Sequence, residues 1–98
     1  MSNFNKIIHE RARLLIITHL ASSEKPSVSF SDLQESLELT PGNLSVQLRK
    51  LKDAGYVKIK KVFKDNKPLT TVSMTPDGKQ ALEDYVEEME KIIRQLKN

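Results

Sequence analysis

The spacing of hydrophobic residues divides the chain into helical and extended segments. Over residues 5–22, apolar side chains recur every three or four positions, which is typical of an amphipathic helix. The serine pair Ser22-Ser23 and the following Pro26 predict its end. The face that we expect this helix to bury consists of Ile7, Ile8, Ala12, Leu15, Ile16, His19 and Leu20.

A brief strand and a short helix are predicted next. Residues 27–30 suit a short strand. Ser31 is a candidate N-cap for a helix over 32–37, because its hydroxyl can accept a hydrogen bond from a free N–H of the first turn. Leu33 and Leu37 lie one turn apart on this helix, so we expect both to face the core.

A third helix is predicted at residues 41–54. Thr40 supplies a capping hydroxyl, and Pro41 takes the first helical position, where its missing N–H costs no hydrogen bond. Gly55 can adopt the left-handed conformation that ends many helices. The apolar face of the helix consists of Leu44, Leu48 and Leu51. The opposite, polar face is therefore expected to be exposed.

The second half of the chain predicts a hairpin and a long helix. Apolar and polar residues alternate over 56–63 and 69–74, with a polar tip at 64–68, as in an antiparallel hairpin. Thr75 and Pro76 repeat the cap-and-proline start, which predicts a helix over 76–97. The element order α-β-α-α-β-β-α describes a mainly α fold with a small β-hairpin wing, the winged helix-turn-helix.

Composition narrows the class of protein. At 98 residues, the chain is expected to form one domain over 1–98. It has no cysteine, which excludes disulfides, thiolate metal sites and thiol redox sensing. The sequence contains no apolar run of membrane-spanning length and no signal-peptide pattern, so a cytoplasmic location is expected.

Positive charge is concentrated in the middle of the chain. The net charge is +3, but residues 40–67 alone carry eight Lys and Arg against two Asp. The segments on either side, 1–39 and 76–98, are both net negative. The third helix and the hairpin therefore present cations together, and a DNA major groove flanked by phosphates fits that layout.

The residues over 40–82, "TPGNLSVQLRKLKDAGYVKIKKVFKDNKPLTTVSMTPDGKQAL", carry a resemblance to a known family. They resemble the winged-helix transcriptional regulators of the broad MarR/ArsR type, and most of all a compact subgroup with little beyond the binding domain and a terminal helix. The resemblance implies a sequence-specific regulator of double-stranded DNA. It places helix 41–54 in the major groove and the wing, 60–69, on the backbone or minor groove.

The side chains at the matching positions have suitable chemistry. Amides such as Asn43 can read adenine, and arginine or lysine can reach guanine or phosphate. Gly42 would allow close approach of the backbone to a phosphate. Gln47 stands where many relatives carry histidine, so no operator sequence carries over. The candidate DNA-binding residues are Thr40, Gly42, Asn43, Ser45, Val46, Gln47, Arg49 and Lys50 on the helix, and Lys60, Lys61, Lys64, Asn66 and Lys67 on the wing.

Other functional classes are less well supported. The sequence has no Gly-rich phosphate loop, no HExxH and no cysteine nucleophile, so we expect neither an enzyme nor a cofactor. His9 and His19 lack partners at metal-ligand spacing, which indicates packing or surface roles. The alternative that remains is a winged-helix protein-interaction module without DNA binding, because fold alone does not decide function. Whether a small-molecule effector exists is unknown.

The final helix, 76–97, is expected to bind a second copy of the chain. Residues at alternating steps of three and four form the stripe of a coiled-coil seam. A homodimer is therefore predicted, although the same stripe could instead pack back on helix 5–22. The predicted contacts are Tyr85, Met89, Ile92, Ile93 and Leu96.

Overall fold

A computed structural model describes residues 4–97, so residues 1–3 and 98, the ends of the predicted domain, lie outside the described part. Its elements confirm the predicted order and the winged-helix fold class. They are α1 (Arg11–Ser22), β1 (Val28–Ser29), α2 (Phe30–Leu37), α3 (Pro41–Asp53), β2 (Val57–Lys64), β3 (Lys67–Met74) and α4 (Pro76–Lys97).

The first helix begins six residues later than predicted. The side chain of Asn5 accepts hydrogen bonds from the backbone N–H groups of Ile7 and Ile8, at 2.9 and 3.2 Å, and this local bonding replaces helix. Glu10 is the N-cap of α1 and accepts from the backbone N–H of Arg13 at 2.9 Å. Ile8 is nevertheless fully buried, so the apolar pattern located a core residue but not the start of the helix.

The second helix, by contrast, starts two residues earlier than predicted. Ser29, rather than Ser31, is its N-cap and accepts from the backbone N–H of Asp32 at 3.1 Å. The strand β1 is correspondingly reduced to two residues. Two serines two residues apart offer the same capping chemistry, and the pairing of Ser29 with Thr71 of β3 selects the first.

The third helix forms as its sequence predicts. Thr40 caps it by accepting from the backbone N–H of Asn43 at 3.1 Å, and proline occupies its first turn. Its three leucines, Leu44, Leu48 and Leu51, are buried in the core. The helix ends at Asp53, and Gly55 follows with a φ of +83°, the left-handed conformation expected of it.

The sheet has the strand order β1-β3-β2 and is antiparallel throughout. β2 pairs with β3 from Val57 opposite Met74 to Lys64 opposite Lys67. The predicted five-residue tip thus narrows to two residues, Asp65 and Asn66, with φ values of +52° and +62°. Positive φ at both positions is the requirement of a tight hairpin turn, which Asp and Asn tolerate.

The core lies between α1, α2, α3 and the inner face of the sheet. Its largest fully buried side chains are Ile8, Ile16, Ile17, Leu33, Leu44, Leu48, Leu51 and Val72. The periodicity of helix 1 did not mark Ile17, because the helix is in contact with both α2 and α3 and so buries more than one stripe.

Thr75 joins the start of α4 to the junction between α3 and β2. Its hydroxyl donates to the carbonyl oxygen of Gly55 at 2.6 Å and accepts from the backbone N–H of Gly78 at 3.0 Å. Its own N–H donates to the carbonyl oxygen of Tyr56 at 3.0 Å. Gly78 packs so closely on that junction that a Cβ there would collide with the carbonyl of Tyr56.

We expect Gly78→Ala to lower the free energy of unfolding by about 1–3 kcal/mol, because the added methyl overpacks a backbone contact. Gly42→Ala is the matched control. A Cβ at Gly42 meets nothing within 4 Å, so this change should be neutral or stabilise the protein by up to about 1 kcal/mol. Urea or thermal unfolding of both variants measures the difference, and equal stabilities would contradict the close packing of Gly78.

Candidate nucleic-acid interface

The face of α3 opposite its leucines forms the first part of the candidate interface. Burial of those leucines orients the helix and directs its polar residues outward. Gln47 is half-buried, and the other predicted α3 residues are exposed: Gly42, Asn43, Ser45, Val46, Arg49 and Lys50. Thr40 is exposed as well, but its hydroxyl is occupied by the N-cap hydrogen bond.

Open space surrounds the first turn of α3. Nothing lies within 4 Å of the position that a Gly42 side chain would take. The N–H groups at the start of a helix have no partner within the helix, and they carry partial positive charge. Pro41 has no N–H and Thr40 accepts from that of Asn43, so an anionic group such as a phosphate could approach the backbone here at the N–H of Gly42.

Gln47 and Asn43 are joined by a hydrogen bond one turn apart on α3. The Nε2 group of Gln47 donates to Oδ1 of Asn43 at 3.0 Å, and its Oε1 accepts from Nη1 of Arg13 at 2.6 Å. Two predicted reading residues are therefore already bonded to each other and to α1. The sequence analysis did not identify Arg13. The one feature that could have pointed to it is its position next to Ala12, on the apolar face of the first helix.

Arg13 is buried, with 9% of its surface exposed. Besides Gln47, its guanidinium donates to the carbonyl oxygens of Ile7, at 2.6 Å, and Lys6, at 3.5 Å. Glu10 lies 3.9 Å from it. These contacts supply the acceptors that a buried guanidinium requires.

Glu10 has a lowered pKa. Its partial burial acts to raise the pKa of the carboxyl, but the backbone N–H groups of Arg13 and Ala12 and the positive charges of Arg13 and Lys50 outweigh burial and lower it. The effect of Lys50 places the C-terminal half of α3 within electrostatic reach of the start of α1. The carboxylate of Glu10 therefore caps α1 and also lies beside the positive charge of Arg13, the residue that bonds to α3.

We expect Glu10→Gln to destabilise the protein above the ordinary glutamate pKa of 4.5 and to have no effect in acid. A carboxyl whose pKa is lowered by folding stabilises the folded state when ionised, and this is lost as pH falls through the folded pKa. Because the side chain is 37% exposed, solvent screening should keep the difference below about 1 kcal/mol. Unfolding midpoints between pH 3 and 7 measure it, and a pH-independent difference would contradict the role of the charge.

The wing forms the second part of the candidate interface. All five predicted wing residues are exposed: Lys60, Lys61, Lys64, Asn66 and Lys67. Asn66 occupies the turn itself, and Lys64 pairs with Lys67 across the base of the turn. Phe63 is also 80% exposed, an aromatic side chain among these cations that the sequence analysis did not single out.

A cleft of about 350 Å³ separates the wing from α3. Ser45 and Leu48 of α3 line one side, and Ile59 and Lys61 of β2 and Thr70 of β3 line the other. The helix face and the wing therefore open onto one continuous surface. At this cleft Ser45 of α3 and Lys61 of the wing, two of the predicted contact residues, face the same space.

The predicted dimer contacts on α4 fall into two groups. Tyr85 is buried against its own chain, where its hydroxyl lies 2.8 Å from Nδ1 of His9 and its ring contacts Phe4. Met89 also packs against the core. Ile92 is half-buried, whereas Ile93 and Leu96 are 45% and 82% exposed. The first half of the stripe therefore packs back on its own chain, the alternative considered above, and Tyr85 has little surface left for a partner.

Two negative findings concern the described part of the chain. Within residues 4–97, no group of three or more His, Asp or Glu side chains is arranged to hold a metal ion. No helix there combines the length and the apolar character needed to cross a membrane.

Comparison with known proteins identifies the family. The family model described as "Winged helix DNA-binding domain" matches residues 12–93. The chain belongs to this family. The transcriptional regulator homologue from Pyrococcus horikoshii OT3 is 33% identical, with a TM-score of 0.84 over 92% of this chain and 87% of that one. Uncharacterized protein MJ0432 of Methanocaldococcus jannaschii is 31% identical over 91 residues, 93% of this chain and 97% of the relative.

A more distant structure was solved with DNA. Bacillus subtilis PadR in complex with operator DNA is 19% identical, with a TM-score of 0.66 over 79% of this chain and 48% of that one, so it shares the fold. The family match and the archaeal regulator homologue confirm the predicted resemblance to winged-helix transcriptional regulators. By the same two comparisons, the chain is a DNA-binding regulator and not an enzyme.

Proposed function

We propose that the protein regulates transcription by binding a specific double-stranded DNA site as a homodimer. In this proposal α3 enters the major groove, and the wing lies on the backbone or in the minor groove. The observation that carries it is the cleft that Ser45 of α3 and Lys61 of the wing both line, with the other predicted cations of the two elements exposed. An interaction module without DNA binding would not require cations on both elements.

The wing and α3 would make different kinds of contact with DNA. Lysines at the wing tip are long, exposed cations that suit phosphates, which carry no sequence information. Asn43 and Arg49, on the outer face of α3, are the side chains that could reach base edges. Phe63 at the wing tip could contact sugars or insert its ring in the minor groove, as apolar side chains of minor-groove binders do.

The second half of α4 supports the proposed homodimer. A helix of 22 residues is about 33 Å long, at 1.5 Å per residue. The chain has a radius of gyration of 14.7 Å and a longest dimension of 56 Å, which is extended for its size, since a compact domain of this length has a radius of about 13 Å.

Exposed apolar side chains indicate where the partner would bind. Val86, Ile93 and Leu96 stay exposed on α4, with Ile92 beside them. A monomer rarely exposes such a patch, and a two-fold partner would cover it with the same residues. Two α3 helices would then address two half-sites, so the preferred site should be an inverted repeat.

Binding to duplex DNA should weaken steeply with salt, because neutralised phosphates release counterions. For a dimer that contacts six or seven phosphates, the slope of log affinity against log salt should be on the order of −6. Replacing Lys64 and Lys67 by alanine removes up to four of these contacts, so the slope should fall toward about −2 and affinity for all duplexes should drop alike.

The matched control replaces Lys25 and Lys79, two exposed lysines outside α3 and the wing, by alanine. It removes the same charge and should leave the slope close to that of the wild type. Fluorescence anisotropy at several salt concentrations measures both. No binding by the wild type at 50 mM salt would contradict the regulator and favour the protein-interaction module, while equal slopes for the two variants would exclude the wing as a DNA contact.

The dimer should depend on the end of α4. Ile93→Gln with Leu96→Gln removes exposed apolar surface without changing the charge or lowering helix propensity, so it should give a folded monomer with much weaker DNA binding. Phe63→Gln, which removes an exposed ring from the wing, should leave the oligomeric state unchanged. Light scattering at tens of micromolar measures both, and a monomeric wild type would contradict the proposed dimer.

A further inference from the structure

One hydrogen bond of the buried Arg13 reaches beyond its own part of the chain. The carbonyl oxygens of Ile7 and Lys6 and the carboxylate of Glu10 lie around the guanidinium on its own side of the core. The remaining bond, 2.6 Å long, reaches across to Gln47 on α3. A buried cation in α1 is thus bonded directly to the helix that carries the candidate reading residues.

This bond fixes the orientation of two amides. An arginine can only donate, so Gln47 must turn its Oε1 toward Arg13. Its Nε2 group then lies on the other side and donates to Asn43 at 3.0 Å. Asn43 must accept through Oδ1, which leaves its Nδ2 group as the free end of an exposed side chain.

We infer that Arg13 is a positioning residue for sequence recognition, because it determines which end of the Asn43 amide faces the DNA. The inference rests on the proposed function and makes it more specific. With Nδ2 outward, Asn43 donates to a keto oxygen, O6 of guanine or O4 of thymine. Cytosine presents only its amino donor there, and adenine offers an acceptor only at N7 beside its amino donor, so both would be disfavoured. This replaces the simpler expectation that Asn43 reads adenine with both ends of its amide.

Gln47→Glu is the variant that tests the orientation. A carboxylate only accepts, so one oxygen would bind Arg13 and the other would require Asn43 to donate through Nδ2. Asn43 would then turn Oδ1 outward and prefer an amino base at the position where the wild type prefers a keto base. Since a net hydrogen bond changes an equilibrium by about threefold to tenfold, each preference should be of that size.

Selection from a random duplex pool, followed by sequencing, measures these preferences. The added negative charge lowers overall affinity, so the ratio of keto to amino bases is compared within each variant. Arg13→Met, which removes the donor, should show neither preference strongly. Because Gln47→Glu keeps Arg13 paired, the test does not depend on whether Arg13→Met folds.

The control removes the reading side chain. Asn43→Ala and the double variant Asn43→Ala with Gln47→Glu should share one base preference at this position, because no amide is left to reorient. An unchanged keto preference in Gln47→Glu, or a shift that persists without Asn43, would overturn the inference. A wild type that selects no sequence would overturn the proposed function as well, so the two failures are distinguishable.

Discussion

The packing of α3 against the core is the interaction on which the rest of the molecule depends. Leu44, Leu48 and Leu51 are almost completely buried, and each contributes about 1.5–3 kcal/mol of hydrophobic stabilisation. Because residues three and four apart share one face of a helix, this burial also determines the rotation of α3. The outward direction of Asn43 and Arg49 is a consequence of it.

The same helix positions the elements that follow it. Gly55 ends α3 in a left-handed conformation, and the chain enters β2 directly. The hydroxyl of Thr75 returns to the carbonyl of Gly55, which ties the start of α4 to the end of α3. The wing and the terminal helix therefore diverge from one junction, and a displacement of α3 in the core would move both.

Local signals in the sequence predicted most of this fold. Thr40 with Pro41, Gly55 and the alternation along the hairpin each have one dominant local cause: a cap, a left-handed stop or a pleat. Both α3 and the hairpin formed as predicted, except that the hairpin turn has two residues instead of five. The starts of α1 and α2 were missed because two local solutions compete there. Asn5 bonds the backbone that would have been helical, and Ser29 caps in place of Ser31.

The candidate site was less predictable, because it depends on contacts between elements. Exposure of the wing lysines followed from their position on a polar tip. The bond between Arg13 and Gln47 joins residues 34 positions apart, and no periodicity or spacing signals it. Likewise, the stripe on α4 is continuous in sequence, but its packing changes near Met89, where the core ends. Tertiary contact, not helix periodicity, decides which part of that stripe is free to bind a partner.

Specificity in this protein would then depend on polar contacts held by an apolar framework. An amide side chain on a helix surface can rotate. It then presents its NH2 donor in one orientation and its carbonyl acceptor in the other. Burying Arg13 costs desolvation free energy, which its acceptors largely offset. In return the orientation of Gln47 is fixed from within the core, and that of Asn43 follows. A small domain can in this way specify the orientation of a group on its surface through a charge that solvent barely reaches.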